Sequence, residues 1–321
     1  MDSTDWDPLY QFVVESNDDC TKIQVPTPPR SHDGSPSSDS DHGDPDVVNV
    51  SSTFFPGARV HSLPPDLILI SSDFVFFYVS SSTLLEASNN GFGNLVPKSN
   101  TEDPEQQVVR TELHSNVLNV VLHAIHHISS AHYNHDIETL ITAVDAMPSL
   151  GLALRRLLAP QSPLFSLLLG QAPLYPIQVY ALASRYDLHD LAVPTSGHLL
   201  SYSLHQLDDT TAELMGPIYI KRLFFLHFGR MEALKRILLN PPHPHAPTPS
   251  CDFTEQKKIT RAWALATAYL AWDARPDLSI SSIESALGPL GEHLNCNLCK
   301  QSLKERVQDV VVQWSVVRRT I

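Results

Sequence analysis

The sequence predicts an α+β fold in three parts: a disordered acidic tail, a domain built on a small mixed sheet with helices, and an all-α C-terminal domain. Three observations carry the prediction. Residues 66–79 hold two short runs of aliphatic, β-branched and aromatic side chains divided by turn residues. From Pro160 onward the apolar residues recur at helical spacing. Residues 1–50 carry eleven acids against Lys22 and Arg30, so −9 of the net charge of −13 sits there, among many Ser and Pro. The expected boundaries are 1–56 for the tail, 57–159 for the mixed domain and 160–321 for the helical one.

A tail of Asp, Ser and Pro cannot bury enough apolar surface to offset the entropy of ordering it. Its one apolar island, with Trp6, Leu9, Tyr10, Phe12 and Val13, reads either as a chance patch or as a short docking peptide. Ser35 and Ser38 stand beside Pro36, Asp39 and Asp41 in a pattern that kinases recognise. Next comes the organising stretch. Leu67-Ile68-Leu69-Ile70 and Phe74-Val75-Phe76-Phe77-Tyr78-Val79, joined through Ser71-Ser72-Asp73, predict a two-strand hairpin. Ser80 to Thr83 offer hydroxyls to cap a helix that begins its apolar face at Leu84 and Leu85, and Ser88-Asn89-Asn90-Gly91 breaks it before a short second turn through Phe92 and Leu95.

A polar stretch over 97–105 leads to Gln107-Val108-Val109-Arg110, a third strand. A helix over 116–128 follows, with Val117, Val120, Val121, Ala124, Ile125 and Ile128 on one face. Asp136 caps another, carrying Ile137, Leu140, Ile141 and Val144, that stops at Met147-Pro148. In the C-terminal part helices are expected over 177–188 behind Pro176, from a Thr195-Ser196 cap to Leu204, and over 218–239 with Gly229 as the weak point. The loop 240–250 contains five prolines and cannot be regular. Helices over 255–273, 280–290 and 302–317 complete a bundle or short solenoid of antiparallel hairpins.

The order Asp66-Leu67-Ile68-Leu69, Ser71-Ser72-Asp73, Phe76-Phe77-Tyr78-Val79, Leu84-Leu85, Ser88 and Phe92 resembles the start of a BTB/POZ domain, in the version found in the fungal, mushroom-type BTB family. Leu122-His123-Ala124-Ile125-His126 and Leu140-Ile141-Thr142-Ala143-Val144-Asp145-Ala146 resemble the same family. So do Val179-Tyr180-Ala181-Leu182-Ala183, Lys221-Arg222-Leu223-Phe224-Phe225-Leu226-His227, Ala262-Trp263-Ala264-Leu265-Ala266, Ala271-Trp272-Asp273 and the closing Trp314, and the resemblance covers residues 54–321. One departure is Ser80, where many members carry His after the second strand. The resemblance implies a protein-interaction adaptor or scaffold without an active site. Its helices would present Val117, Val120, Val121, Ala124, Ile141 and Val144 to a protein partner, either a cullin or a second copy of the chain. A substrate adaptor of a cullin-type ubiquitin ligase is the specific version, and a transcription co-regulator or a zinc-stabilised structural module the alternatives. Many BTB proteins dimerise by exchanging a helix and strand ahead of the hairpin; the Pro-rich residues before Asp66 predict that this form is absent here.

Composition narrows the function classes. A net charge of −13 without a basic stripe argues against nucleic acid. No apolar run approaches the roughly 18 residues of a membrane span. Cys20, Cys251, Cys296 and Cys299 are too few for a disulfide framework in 321 residues, and no charged-then-apolar leader opens the sequence, so an intracellular location, cytoplasmic or nuclear, is expected. Nucleotide-binding loops, nucleophile elbows and zinc-protease motifs do not occur, so neither catalysis nor a small-molecule substrate is expected.

Cys296-Asn297-Leu298-Cys299, at the start of a helix, points two sulfurs one way, half of a tetrahedral zinc site. Cys251 and, in the proline-rich loop, His243 and His245 stand nearby in the sequence, with His293 three residues before Cys296; His245 and Cys251 would complete a Cys₃His set and pin that loop to the last helix, and no cofactor is expected beyond this structural zinc. Two other readings of the thiols stand: small buried hydrophobes between helices, or a redox C-x-x-C. His114, His123, His126, His127, His132 and His135 form a second cluster, read as partly exposed rings that can make an interface pH-sensitive or, less naturally, as metal ligands. Tyr175, Tyr180, Tyr186, Phe224, Phe225, Phe228, Trp263, Tyr269, Trp272 and Trp314 are expected to pack the core of the helical part.

Overall fold

The structure, a computed structural model, describes residues 48–58, 60, 63–96 and 107–321. The apolar island around Trp6, Cys20, Ser35, Ser38 and the polar stretch 97–105 lie outside the described residues. The fold begins earlier than the expected boundary at 56. Asn49–Val50 (β1) is already a strand, Ser51 caps the turn that follows, and Phe54 is fully buried. A two-residue strand is too short for an alternation pattern to reveal in a stretch rich in Asp and Ser.

Leu67–Ile70 (β2) and Val75–Val79 (β3) pair antiparallel in the register Leu67↔Val79 to Ile70↔Phe76, the expected hairpin. All four residues of β2 are buried, as befits a continuous aliphatic run in a central strand covered on both faces. Asp73 in the hairpin turn accepts from the backbone N–H of Ser115 at 2.8 Å and from its hydroxyl at 2.6 Å, hooking the turn to a later helix. Ser81–Ala87 (α1) follows β3. Its exposed N–H groups are met by Asp66, which accepts from Ser81 N at 2.7 Å, while Ser80 makes no side-chain cap. Gly91–Asn94 (α2) is a short turn wired by Ser88 and Asn90, whose side chains bond Leu150 O and Ser149 O. Gly151 sits at positive φ against that corner, where a Cβ would lie 2.3 Å from Asn90 Oδ1. Gln107–Arg110 (β4) lies parallel to β2, and the sheet order is β1-β3-β2-β4, with β1 parallel to β3.

Ser115–Ile125 (α3) packs beneath the sheet and against Ile137–Ala146 (α4), which Asp136 caps by accepting from Thr139 N at 2.8 Å. The sequence suggests an amphipathic α3, but every residue from Val117 to Ile125 is buried. The placement corrects the expected partner-facing set. Val117, Val120, Val121, Ala124 and Val144 are core residues and Ile141 is half-buried against them, because a helix enclosed on all sides keeps its apolar face for the sheet.

Leu154–Leu157 (α5), Pro163–Gln171 (α6), Pro176–Arg185 (α7) and His189–Ser196 (α8) extend the same core. Thr195 and Ser196 end α8 rather than cap a new helix: their hydroxyls donate back to Leu191 O and Val193 O, and only single 3₁₀ turns follow before Gln206. Asp209–Leu238 (α9) is kinked at Gly216-Pro217, where Gly216 takes a positive φ and Pro217 has no N–H to give. One hydrophobic core runs from Phe54 to Leu226, across the expected 159/160 boundary. A second begins at Leu234 and takes in Phe253–Trp272 (α10), Ile280–Leu287 (α11) and Asn297–Ser315 (α12).

Between the two cores stands Arg230, 4% exposed, donating to Pro276 O at 2.6 Å, Val317 O at 2.8 Å and Arg318 O at 3.0 Å while lying over the Trp314 ring. Carbonyls satisfy this buried cation where a carboxylate would be expected. None of the described helices is long and apolar enough to cross a membrane.

Candidate metal centre

The second core closes around a loop with almost no hydrogen-bonding pattern of its own. Five prolines leave residues 240–250 few N–H donors, so its position depends on side chains from elsewhere. Arg306 of α12, itself buried, donates Nε to Asn240 O at 2.9 Å and a second nitrogen to Ile237 O, capping the C-terminus of α9 where the helix dipole favours a cation. Ser302 Oγ donates to His243 O at 2.6 Å, and Gln256 Nε2 donates to His245 O at 3.1 Å. Thr248 and Cys251 exchange backbone hydrogen bonds in a tight turn, and Asp252 then caps α10 by accepting from Thr254 N and Glu255 N at 2.9 Å. Cys251 is thereby fixed at the foot of α10, and Cys296 at the N-cap of α12 with Cys299 in its first turn.

These elements bring His245, Cys251, Cys296 and Cys299 together. Their ligand atoms all lie within 4.8 Å of one another, and among the described residues this is the one group of three or more such side chains close enough to share an ion. His245 Nε2 stands 3.3 Å from both Cys296 Sγ and Cys299 Sγ, and Cys251 Sγ stands 3.7 Å from Cys299 Sγ. A tetrahedral ion with metal–sulfur bonds of about 2.3 Å and metal–nitrogen bonds of about 2.0 Å separates its ligand atoms by roughly 3.5–3.8 Å. The measured contacts fit that cage, and the widest pair needs to close by about 1 Å. His245 Nδ1 lies 2.7 Å from Ala246 O, which fixes the proton on Nδ1 and leaves the Nε2 lone pair facing the sulfurs.

The electrostatics suit a cation. Backbone N–H groups of Cys299 and Leu298, at the N-terminus of α12, pull the Cys296 thiol down to about 7. Burial, together with the neighbouring sulfurs, pushes Cys299 up to about 12, and burial raises Cys251 as well. Three thiols in contact oppose one another's ionisation, and a divalent cation among them removes that penalty. Cys251 and Cys299 are buried while Cys296 and His245 are half-buried, and four protein atoms are the number a tetrahedral ion takes. Neighbouring His243 contributes only its carbonyl.

The chain matches no known family, no curated protein and no solved structure. Its own geometry therefore carries the functional argument.

The other expected cluster forms a ring stack instead of a metal site. His123 is buried, edge-on to Phe54 at 5.1 Å and to Tyr133 at 5.5 Å, with Nδ1 2.8 Å from Asn119 O. Tyr133 lies between the rings of His132 and His135, and its hydroxyl bonds Ser52 and Thr53 at 2.6 Å, tying the start of the fold to the 3₁₀ turn between α3 and α4. His114 caps α3. Of the aromatic residues expected in the core, Tyr180, Trp263 and Trp314 are there, each donating to a backbone carbonyl. Phe224, Phe225, Phe228, Tyr269 and Trp272 are exposed instead, because their helices lie at the edge of the array with one side uncovered. The residues that sequence reasoning misses are Gln256, Ser302 and Arg306, the polar side chains that hold the loop. Their only sequence signal is helical spacing along the buried side of α10 and α12.

Proposed function

We propose that the chain is a non-enzymatic protein-interaction scaffold whose C-terminal helical part is a zinc-stabilised module. The observation that carries the zinc reading is the closed set of His245, Cys251, Cys296 and Cys299, with contacts of tetrahedral size and the histidine tautomer already fixed. Three sulfurs and one imidazole favour zinc among common divalent ions, and a fully protein-ligated site is structural in character. Such an ion cross-links the proline-rich loop, α10 and α12, holding in place a segment that cannot hold itself by backbone bonds. Reduced thiols of this kind suit a cytoplasmic or nuclear compartment.

The scaffold reading draws support from the paired hairpin over α3, the arrangement expected of a BTB/POZ domain, and from large apolar side chains left on the outside of α9 and α10. Within it, a substrate adaptor for a cullin-type ligase is the specific version, with a transcription co-regulator as the other member of the class. The test is elemental analysis of the purified full chain run beside affinity purification with mass spectrometry. One zinc per chain and reproducible protein partners, a cullin among them for the adaptor version, are expected. Metal-free protein that is folded and stable removes the zinc module; absence of any specific partner removes the scaffold.

A further inference from the structure

The outer side of α9 carries more apolar surface than a solvated helix needs. Ile218, directly after the Gly216-Pro217 kink, is 63% exposed, and Phe225, about two turns further on, is 56% exposed. They line a groove of about 570 Å³ between α9 and the segment that follows α12, where Val317 and Ile321 form the opposite wall. Its floor includes Gly229. This glycine is helical, has ordinary φ, and a Cβ built on it meets nothing within 4 Å. Helix interiors disfavour glycine relative to alanine, and no close approach or left-handed backbone accounts for it here. What the missing side chain does provide is an open notch beside Phe225.

Charge identifies what the notch faces. Lys221, Arg222, Arg230 and Arg318 line the groove and among the described residues no carboxylate side chain does, on a protein whose net charge is −13. Arg230 is committed to three backbone carbonyls. Lys221 lies over the Phe225 ring and Arg222 over the Tyr219 ring, Arg318 reaches Ile321 O, and none of the three makes an ion pair among the described residues. Asp187, on the neighbouring turn, is engaged by Arg155 and Tyr219. Arg318 is thus held within the chain, and Arg222, 3.3 Å from His189 Nδ1, and Lys221 are the cations left without an oxygen partner among the described residues; beside an apolar trough they are complementary to a segment of the opposite sign with apolar anchors.

We propose that this groove binds an acidic segment of a partner protein, with one bulky apolar side chain seated in the notch at Gly229 and carboxylates set against Lys221 and Arg222. The inference rests on the scaffold reading, to which it adds a surface and a partner chemistry; it does not depend on the metal. The probe is a fluorescein-labelled, Glu-rich amphipathic peptide containing Leu and a central Trp, titrated into the full chain and followed by anisotropy at low and high salt. Three control peptides replace the apolar residues by Ser, the Glu by Lys, or both. Saturable binding that needs both the acids and the apolar anchors and weakens with salt is expected.

Gly229→Leu fills the notch and is expected to weaken binding by about tenfold or more, while Gly229→Ala, read by thermal melting, raises the stability of the helix. Lys221→Glu combined with Arg222→Glu is expected to weaken binding comparably and to reverse its salt dependence. Equal binding of the lysine peptide overturns the proposal, as does binding that both variants leave unchanged. Self-association lost in Gly229→Leu would assign the groove to a second copy and overturn the acidic partner. Partners recovered equally by wild-type and Gly229→Leu protein would sink the groove and leave the scaffold standing, whereas recovery of none by wild type would sink the scaffold.

Discussion

Removing the zinc proposed for this site is the perturbation whose consequence can be worked furthest from the structure. Cys251 and Cys299 lie 48 residues apart in sequence and 3.7 Å apart in space. Closing a loop of that length removes unfolded-state entropy worth about 4 kcal/mol. Binding linkage gives the same size by an independent route, since free zinc at roughly a thousand times its Kd stabilises the native state by about 4 kcal/mol. For a folded unit of this size that corresponds to a drop of roughly 8–16 °C in Tm on stripping the ion. The loss should be local, because Ile259 and Leu303, within two turns of the ligands, belong to the second core, whereas the hairpin belongs to the first.

The assay is thermal melting with and without a strong chelator, paired with hydrogen exchange on the same samples. Exchange is expected to rise over 240–252 and 296–303 and to stay unchanged over 67–79, with one equivalent of zinc restoring both signals. Protein from which an ion has been stripped, yet whose Tm and exchange do not move, would refute the cross-link.

Other outcomes follow from the same packing. Trp263→Ala removes a 1% exposed indole that donates to Leu238 O at 3.0 Å, and should cost about 3–5 kcal/mol in denaturant melts, with Trp263→Phe milder. Asp252→Ala deletes the α10 cap and should cost about 1 kcal/mol; because Cys251 is its neighbour, zinc affinity measured by chelator competition should fall with it. Burial lowers His123, His135 and His227 below the ordinary histidine range. The unfolded chain therefore takes up protons first, and stability should fall as pH drops through about 6.5 toward 5. Melts run in chelator, so that metal release does not contribute, should show that decline, and His123→Phe should flatten it; a Tm that rises over this interval contradicts the burial argument.

The parts of the fold legible in the sequence are those where local chemistry and burial agree. The Leu67–Ile70 and Val75–Val79 pair and the Asp136 cap each carry a signal within a few residues, whereas α12 begins at Asn297, a turn before the expected 302. That His245, Cys251, Cys296 and Cys299 come together was legible because the chain has only four cysteines and the proline-rich loop needs a tether. What was not legible depends on long-range enclosure. A one-sided pattern on α3 cannot reveal that its other side is covered too, which is why Val117 and Val120 read as partner-facing. Conversely, Phe224 and Phe228 read as core although no element among the described residues covers them, since hydrophobicity reports the tendency to be buried and not what does the burying. Thr195 and Ser196 have cap chemistry, but their hydroxyls turn back to the preceding helix.

Zinc-edge X-ray absorption on the purified full chain tests the central claim most directly. A first shell of three sulfurs at about 2.3 Å and one nitrogen at about 2.0 Å is predicted, with one sulfur lost in Cys251→Ser. A shell of oxygen and nitrogen alone, or one that Cys251→Ser and His245→Ala both leave unchanged, would contradict it.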